Sequence, residues 1–322
     1  MRYSRQEAFI GKASQKKLRK SLVTIVGCGA IGSSAGEYLA RAGVNLRLID
    51  RDIVEMSNLH RQLFREEDVG RPKAEALKER LEEANSEVRI EAVSDDLNAS
   101  NIEKYLKNSS LVIDGTDNIE TRFLINDFCL KNKVPFTYAA AIKSEGLLTL
   151  IVPGETPCLR CFMPLAYTHD TCETAGVLGP AVGVMGVISA AEAIKHLIGK
   201  DMIKGSLLHV NFYKNLYELI EIKRNKTCPA CKGSYEFLGK PAKQVVELCG
   251  GTYQFLFGKE VDIQDISERL EKNRDFKIVK GKHIVQIIHK KYVISLFKRR
   301  MIVQGAHSPR EVKILAARII GA

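Results

Sequence analysis

Six polar residues, Arg5, Asp52, Asn58, Arg61, Lys73 and Asp117, stand at positions that read as loops around the glycine run GCGAIG. Gly27, Gly29 and Gly32 of that run match G-x-G-x-x-G, and Asp50 follows Gly32 by 18 residues. Glycines at this spacing permit a tight turn and a close backbone approach. Phosphate oxygens then rest on amide donors at a helix N-terminus while the acid takes ribose hydroxyls. Alone, the motif favours a dinucleotide, and a nicotinamide enzyme is one reading. The pyrophosphate of a dinucleotide carries about two charges and rests on backbone amides. Two arginines and a lysine overcompensate it. A triphosphate with a divalent metal fits that inventory better, with the cations neutralising a departing pyrophosphate and Asp117 holding magnesium. The six residues are expected to converge near the carboxyl ends of the strands.

Cys158 and Cys161 form one C-x-x-C, and Cys228 and Cys231 another. Four thiolates suffice for a closed tetrahedral zinc site whose role is stability. A redox pair would need a thioredoxin-like context, which neither CLRC nor CPAC has. Cys172 is different, since it lies in the polar loop AYTHDTCETAGVLGP. A thiol exposed there is able to attack an acyl-adenylate or to take part in persulfide chemistry. Cys28, Cys129 and Cys249 read as buried small hydrophobes. His60 and His169 gain no catalytic role from their spacing.

The elements that must position these groups read as an alternation of strands and helices. LVTIVGCGAIGSS is strand, glycine turn and helix start, and NLRLID is the next strand. RPKAEALKERLEEAN is helical, VRIEAVSDDL strand-like, IEKYLKN helical, and LVIDGTDN strand then turn. Another helix covers 119–132, and PFTYAAAI and EGLLTLIVP read as antiparallel strands. The expected fold is α/β, a doubly wound Rossmann-like mixed sheet with a zinc-bound return. The segment 183–199 is apolar nearly all round and reads as a buried helix. CPACKGSYEFLGKP looks like a boundary, so the expected domains are 1–241, the nucleotide-binding domain with the four-cysteine site, and 242–322, a small basic α+β accessory domain. The second reads as strand, helix, a run of hairpin strands and a final helix.

Taken together, RYSRQ, GCGAIG, DRDIVEMSNLHRQ, GRPKA, DGTDN, CLRC, DTCETAGVLGP and CPAC resemble the ThiF/MoeB/HesA family, relatives of ubiquitin-activating enzymes. The resemblance runs in order over residues 1 to about 233. It implies adenylation of the C-terminal Gly-Gly carboxylate of a ubiquitin-like sulfur carrier of the MoaD or ThiS kind. It also implies that Asp50 and Asp52 hold the ribose of ATP, that Asn58, Arg61 and Lys73 hold its phosphates, and that Asp117 is the magnesium-binding acid. Arg5 matches an arginine that reaches the phosphates from the neighbouring subunit, which implies a homodimer. Cys172 matches the cysteine that in some relatives links covalently to the carrier. The resemblance does not account for residues 242–322.

The 322 residues are 45% hydrophobic and 27% charged, ordinary values for a chain that buries a core. No apolar run reaches the roughly 18 residues of a membrane span, and the N-terminus lacks the apolar segment of a signal peptide. A cytoplasmic protein is expected. Its net charge of +11 is uneven, because from Gly250 onward there are 15 Lys/Arg against 7 Asp/Glu. Lys298, Arg299 and Arg300 are expected at an exposed turn, where an acidic carrier would dock or, less in keeping with the few neighbouring aromatics, a tRNA. A sulfur donor would be a separate protein. Two rivals stand beside the carrier reading: activation of a peptide or tRNA-linked carboxylate, and a non-catalytic partner subunit.

Overall fold

The chain divides into two compact units, Met1–Lys240 and Pro241–Ala322. The computed structural model describes residues 2–163, 175–200, 203–241, 243–248, 252–281 and 284–321. Two helices absent from the sequence reading, α1 (Ser4–Ile10) and α2 (Lys12–Lys20), precede β1 (Leu22–Val26). The alternation then follows as expected: α3 (Ala30–Arg41), β2 (Asn45–Ile49), α4 (Lys73–Ala84), β3 (Ile90–Val93), α5 (Ile102–Leu106), β4 (Leu111–Asp114), α6 (Ile119–Asn132) and β5 (Phe136–Ile142). After these come β6 (Glu145–Ile151), α7 (Leu159–Phe162), α8 (Gly179–Leu197), β7 (Ser206–Asn211) and β8 (Leu216–Glu221).

One eight-stranded sheet results, in the order β3-β2-β1-β4-β5-β6-β7-β8. Its first five strands run parallel and the last three antiparallel. The mixed, doubly wound sheet is therefore the one expected. Period-two alternation explains its two layers: Leu111 and Ile113 of β4 join one core with α3, α4 and α8, while Val112 joins another with α5 and α6. Strand order reverses between β1 and β4, and at their carboxyl ends Val26 stands level with both Ile49 and Asp114. Open sheets of this kind leave their binding crevice at such a reversal.

Three departures have physical causes. Helix α8 is buried along a stripe, not all round. Ala181, Val182, Met185 and Ala190 are covered, while Val184 and Val187 are exposed. Gly186 lets the stripe approach α3 so closely that a Cβ there would collide with the Ile31 carbonyl. The hairpin β7–β8 was not read from the sequence, because all six residues of LYELIE are exposed in β8 and show no one-sided pattern. Finally, CPACKGSYEFLGKP is not merely a boundary. Phe237 within it is buried against Phe123 of α6, with ring centroids 5.1 Å apart.

The second unit is a six-stranded antiparallel sheet in the order β11-β12-β13-β14-β10-β9. Its strands are β9 (Val245–Leu248), β10 (Thr252–Leu256), β11 (Lys277–Lys280), β12 (Val285–His289), β13 (Tyr292–Leu296) and β14 (Arg300–Gln304). Helix α9 (Ile263–Glu271) is capped by Asp262, which accepts from Gln264 N, and α10 (Pro309–Ile320) by Ser308, which accepts from Glu311 N. Phe255, Ile287, Ile294, Met301 and Val303 form its core with Ile266 and Leu270 of α9 and Val312 and Ile319 of α10. The α+β character matches expectation, but the basic turn does not. Arg300 opens β14, is fully buried and donates from Nη1 to Gln254 Oε1 at 2.9 Å. Arg299 pairs with Glu260 at 3.1 Å. The run of three surface cations is thus reduced to two, one of them already paired.

Candidate functional site

At the strand-order reversal, two turns meet backbone to backbone. Gly27 has φ +87°, and a Cβ on it would stand 2.7 Å from the Gly115 carbonyl oxygen. A Cβ on Gly32 would overlap the Gly27 carbonyl. Both glycines are therefore required by the protein itself. Gly29 is not: a Cβ there would meet only Gln62 Nε2, at 3.7 Å. The open space over Gly29, at the start of α3, is what a phosphate resting on amide donors needs.

The acids and the lysine gather beside this turn. Asp50 continues β2, is buried, and accepts from Cys28 N and Asp52 N, each at 2.6 Å. Burial pushes its carboxyl up, while the Lys73 ammonium pulls it down. Lys73 opens α4 with its own N–H on the Asp52 carbonyl and Nζ 3.2 Å from Asp52 Oδ2. Burial alone would lower the Lys73 ammonium, but Asp52, then Asp50 and, more weakly, Asp117 outweigh it and hold it above the ordinary lysine value. Asp117 itself is exposed, three residues past the buried end of β4.

Asn58 and Arg61 sit on the loop that joins β2 to α4. Asn58 is buried in a short 3-10 turn, where Oδ1 accepts from Glu55 N at 3.2 Å, and Arg61 Nη1 donates to the Ser57 carbonyl at 2.8 Å. Both side chains fold back on their own loop. The loop is held at the glycine turn from two sides: Leu63 N donates to Ser33 Oγ at 3.3 Å, and a Cβ on Gly179 would press on the His60 carbonyl at 2.9 Å.

The four cysteines of the two C-x-x-C pairs come together as well. Sγ separations are 3.8 Å for Cys158 and Cys161, 3.6 Å for Cys158 and Cys228, and 3.5 Å for Cys161 and Cys231, with all four within 4.8 Å of one another. Zn–S bonds of about 2.3 Å in a tetrahedron separate the sulfurs by about 3.8 Å, so the set fits zinc. Helix α6 fixes both arms of this site. Asn126 Oδ1 accepts from Leu159 N at 2.9 Å, and Asp127 Oδ2 accepts from Phe237 N at 3.0 Å. Cys172 lies outside the described residues.

Sequence comparison decides the family, whose ThiF profile matches residues 3–230. The chain belongs to the ThiF family. It is 40% identical over 247 residues to the sulfur carrier protein ThiS adenylyltransferase of Bacillus subtilis, across 73% of this chain and 72% of that protein. To the SAMP-activating enzyme E1 of Haloferax volcanii it is 38% identical over 238 residues, 71% of this chain and 88% of that one. The solved structure of E. coli MccB with ATP shares the fold, with a TM-score of 0.65 over 72% of this chain and 75% of that chain at 24% identity.

Within this ThiF-family chain, Arg5 does not join the other site residues. Helix α1 is tied to the opposite end of the sheet: Gln6 donates to the Ala42 carbonyl at 3.1 Å, and Tyr3 Oη accepts from Asn85 at 2.9 Å. Helix α3, which separates that end from the glycine turn, has 12 residues, or about 18 Å at 1.5 Å per residue. Expected convergence in one chain thus fails for Arg5.

Three charged residues that the sequence reading missed do join the site. Asp114 is fully buried at the end of β4. Its Oδ1 accepts from Thr116 N at 3.0 Å, and burial pushes its carboxyl up. Arg122 on α6 donates from Nε to the Thr116 carbonyl at 3.2 Å and lies 4.9 Å over the Tyr138 ring. It thereby anchors the turn bearing Asp117. Arg51 pairs with Asp96 at 2.9 Å. Asp114 was legible as part of LVIDGTDN, but no local signal distinguished Arg51 or Arg122 from surface arginines.

Removing the Lys73 charge leaves the Asp50 carboxylate buried without its counter-ion, so Lys73→Met is expected to cost up to roughly 3–5 kcal/mol at neutral pH. A carboxyl whose folded pKa is raised destabilises the fold only while ionised. The deficit should therefore shrink as pH falls through the Asp50 titration and be gone below about pH 3.9, the ordinary value. Urea unfolding of both proteins between pH 7 and pH 4 checks this, and a deficit that stays constant with pH would contradict it. Separately, Cys228→Ser should carry less than one equivalent of zinc by metal analysis and unfold at a lower temperature in its larger unit. A metal-free variant of undiminished stability would remove the zinc assignment.

Proposed function

We propose that the chain uses ATP to adenylate the C-terminal Gly-Gly carboxylate of a ubiquitin-fold sulfur-carrier protein, releasing pyrophosphate. The observation that carries this reading is the cation set by an open glycine turn. Lys73 is held charged between Asp50 and Asp52, Arg61 is on the adjoining loop, and Asp117 lies within electrostatic reach of Lys73. Relatives at 38–40% identity bear the names of a ThiS adenylyltransferase and a SAMP-activating enzyme, which supports a carrier protein as the substrate class.

The chemistry follows from charge. A terminal carboxylate has an ordinary pKa of roughly 3.3–3.7, so it is ionised at neutral pH and needs no general base. Its attack on the α-phosphorus forms the acyl-phosphate bond as the bond to pyrophosphate breaks. The barrier is electrostatic, because an anion must approach a polyanion in line. In this reading Asp50 and Asp52 take the ribose, and the turn of Gly27, Gly29 and Gly32 presents its open backbone donors to the phosphates, Gly27 shaping the turn while its own N–H is held by the Ile49 carbonyl at 2.8 Å. Lys73, Arg61 and Asn58 receive the departing pyrophosphate, the last two by releasing their contacts to their own loop. The exposed Asp117 carboxylate would hold magnesium, which when bound neutralises phosphate charge. Zinc on Cys158, Cys161, Cys228 and Cys231 would tie the return of the chain to α6.

A homodimer accounts for Arg5. At the far end of its own sheet it is unable to serve its own turn, so it would reach the phosphates of a partner subunit. Two readings of Cys172 stay open: a thiol that takes the activated carrier as a thioester with release of AMP, and a loop cysteine that adenylation does not need. A four-cysteine zinc site suits a reducing, cytoplasmic setting.

Magnesium-dependent ATP–pyrophosphate exchange tests the reading, with each Gly-Gly-ending carrier from the source genome supplied in turn. Exchange should depend on one carrier, vanish when its last glycine is deleted, and fall at least about a hundredfold in Asp117→Ala. Mixing Arg5→Ala with Asp117→Ala subunits should restore part of the activity if Arg5 acts across the dimer. Exchange driven by tRNA or a peptide in place of a carrier would overturn the substrate assignment. No exchange with any of them would favour a non-catalytic subunit.

A further inference from the structure

From Gly250 onward Lys and Arg outnumber Asp and Glu by 15 to 7, yet the turn at Lys298–Arg300 exposes only two of these cations. At the other end of the same sheet, three segments bring more of them together. Lys290 and Lys291 form the two-residue turn between β12 and β13, closed by the pair His289 and Tyr292. Lys277 opens β11 and stands opposite Ile288, two residues before that turn. Lys272 and Arg274 follow α9 on the way into β11. All five are exposed. His289 ties the loop to the turn. A guanidinium only donates, so with Arg318 Nη1 3.2 Å from His289 Nε2 the other ring nitrogen carries the proton, and Nδ1 donates to the Asp275 carbonyl at 2.9 Å. Phe276 stacks on the same ring, with centroids 4.6 Å apart.

The acids nearby are already engaged. Asp275 pairs with Arg318 at 3.2 Å, Glu271 with Lys280 at 2.9 Å and Glu311 with Lys291 at 4.0 Å. Lys272, Arg274, Lys277 and Lys290 have no ion-pair partner among the described residues. The turn also gives up stability to place its charge, because Lys290 has φ +54°, where a two-residue hairpin favours Gly or Asn. A protein partner would call for an apolar centre and few lysines. This end offers the reverse, since no large apolar side chain within 272–277 or 289–292 is exposed. Phosphate backbones are held mainly by such cations. A blunt end with no helix or strand to lay in a groove suits phosphates clustered in space, which a folded RNA offers and a straight duplex does not. We infer that this end of the second unit is a docking surface for a folded RNA, held by its phosphates through Lys272, Arg274, Lys277, Lys290 and Lys291. Such docking goes beyond the adenylation chemistry proposed above and does not depend on it.

Fluorescence anisotropy of the full chain with a labelled, unmodified tRNA pool tests this. Binding should be present at low salt and weaken steeply as salt rises, with log affinity against log salt sloping about −3 for four or five phosphate contacts. Lys277→Glu combined with Lys290→Glu should lose at least about tenfold in affinity and flatten that slope by about two. Lys259→Glu combined with Lys298→Glu changes the net charge equally at the opposite end of the sheet, and should lose less than about twofold if the surface is local. Lys290→Asn separates docking from folding. Relieved of a lysine at positive φ, the protein should melt no lower than the unsubstituted chain while binding the RNA more weakly, and this variant keeps the test open if the charge-reversed pair does not fold. No binding of the tRNA pool at low salt, or equal losses in the two charge-reversed pairs, would overturn the inference. So would tighter binding of a DNA duplex or of polyglutamate through the same lysines, which would mark a DNA-binding or protein-docking surface instead.

Discussion

Two backbones touch at the carboxyl ends of β1 and β4, and the arrangement of the site depends on that contact. Gly27 and Gly115 approach until a single methyl group would not fit between them, and Gly32 closes on the Gly27 carbonyl. Side chains at any of these positions would push apart the two turns that carry the nucleotide loop and Asp117. Because β1 lies between β2 and β4, the contact also brings Asp50 within reach of the same turn. A parallel sheet with its strand order reversed at this point leaves its binding crevice there.

Charge fills the crevice. Asp50 and Asp114 are buried, and together with Asp52 and the exposed Asp117 they would repel one another. Lys73, Arg51 and Arg122 hold them, and each of these cations stays charged despite burial because its partners outweigh the cost of leaving water: carboxylates for Lys73 and Arg51, and Tyr138 ahead of Asp114 for Arg122. Such balanced clusters are poor sources of net stability. Their value is a fixed field with defined directions, which is what a reaction between two anions requires.

The rest of the first unit holds this edge rigid. Helix α6 begins at the Asp117 turn and carries Arg122 there, while Asn126 and Asp127 further along bind the two arms of the four-cysteine cluster. Loss of the cluster would be felt along α6 toward the crevice. The second unit has its own sheet and core, with a buried Arg300–Gln254 pair between β14 and β10 where the basic run is expected at an exposed turn.

The sequence by itself determined the parts whose signal is local. Glycine spacing recorded the turn, because backbone overlap forbids other residues at Gly27 and Gly32. Period-two and helical alternation recorded the main sheet, and two C-x-x-C pairs recorded a four-thiol cluster before any contact was known. Tertiary structure alone decided what depends on partners far along the chain. Arg300 is buried and Lys298 is not, though both stand in one basic run. Arg5 lies at the wrong end of its own sheet, and β8 is exposed on both faces. Arg51 and Arg122 differ from surface residues of their type only through what folds against them. A residue's neighbours in sequence fix its backbone, but the water it loses and the charges it meets are set by segments tens of residues away.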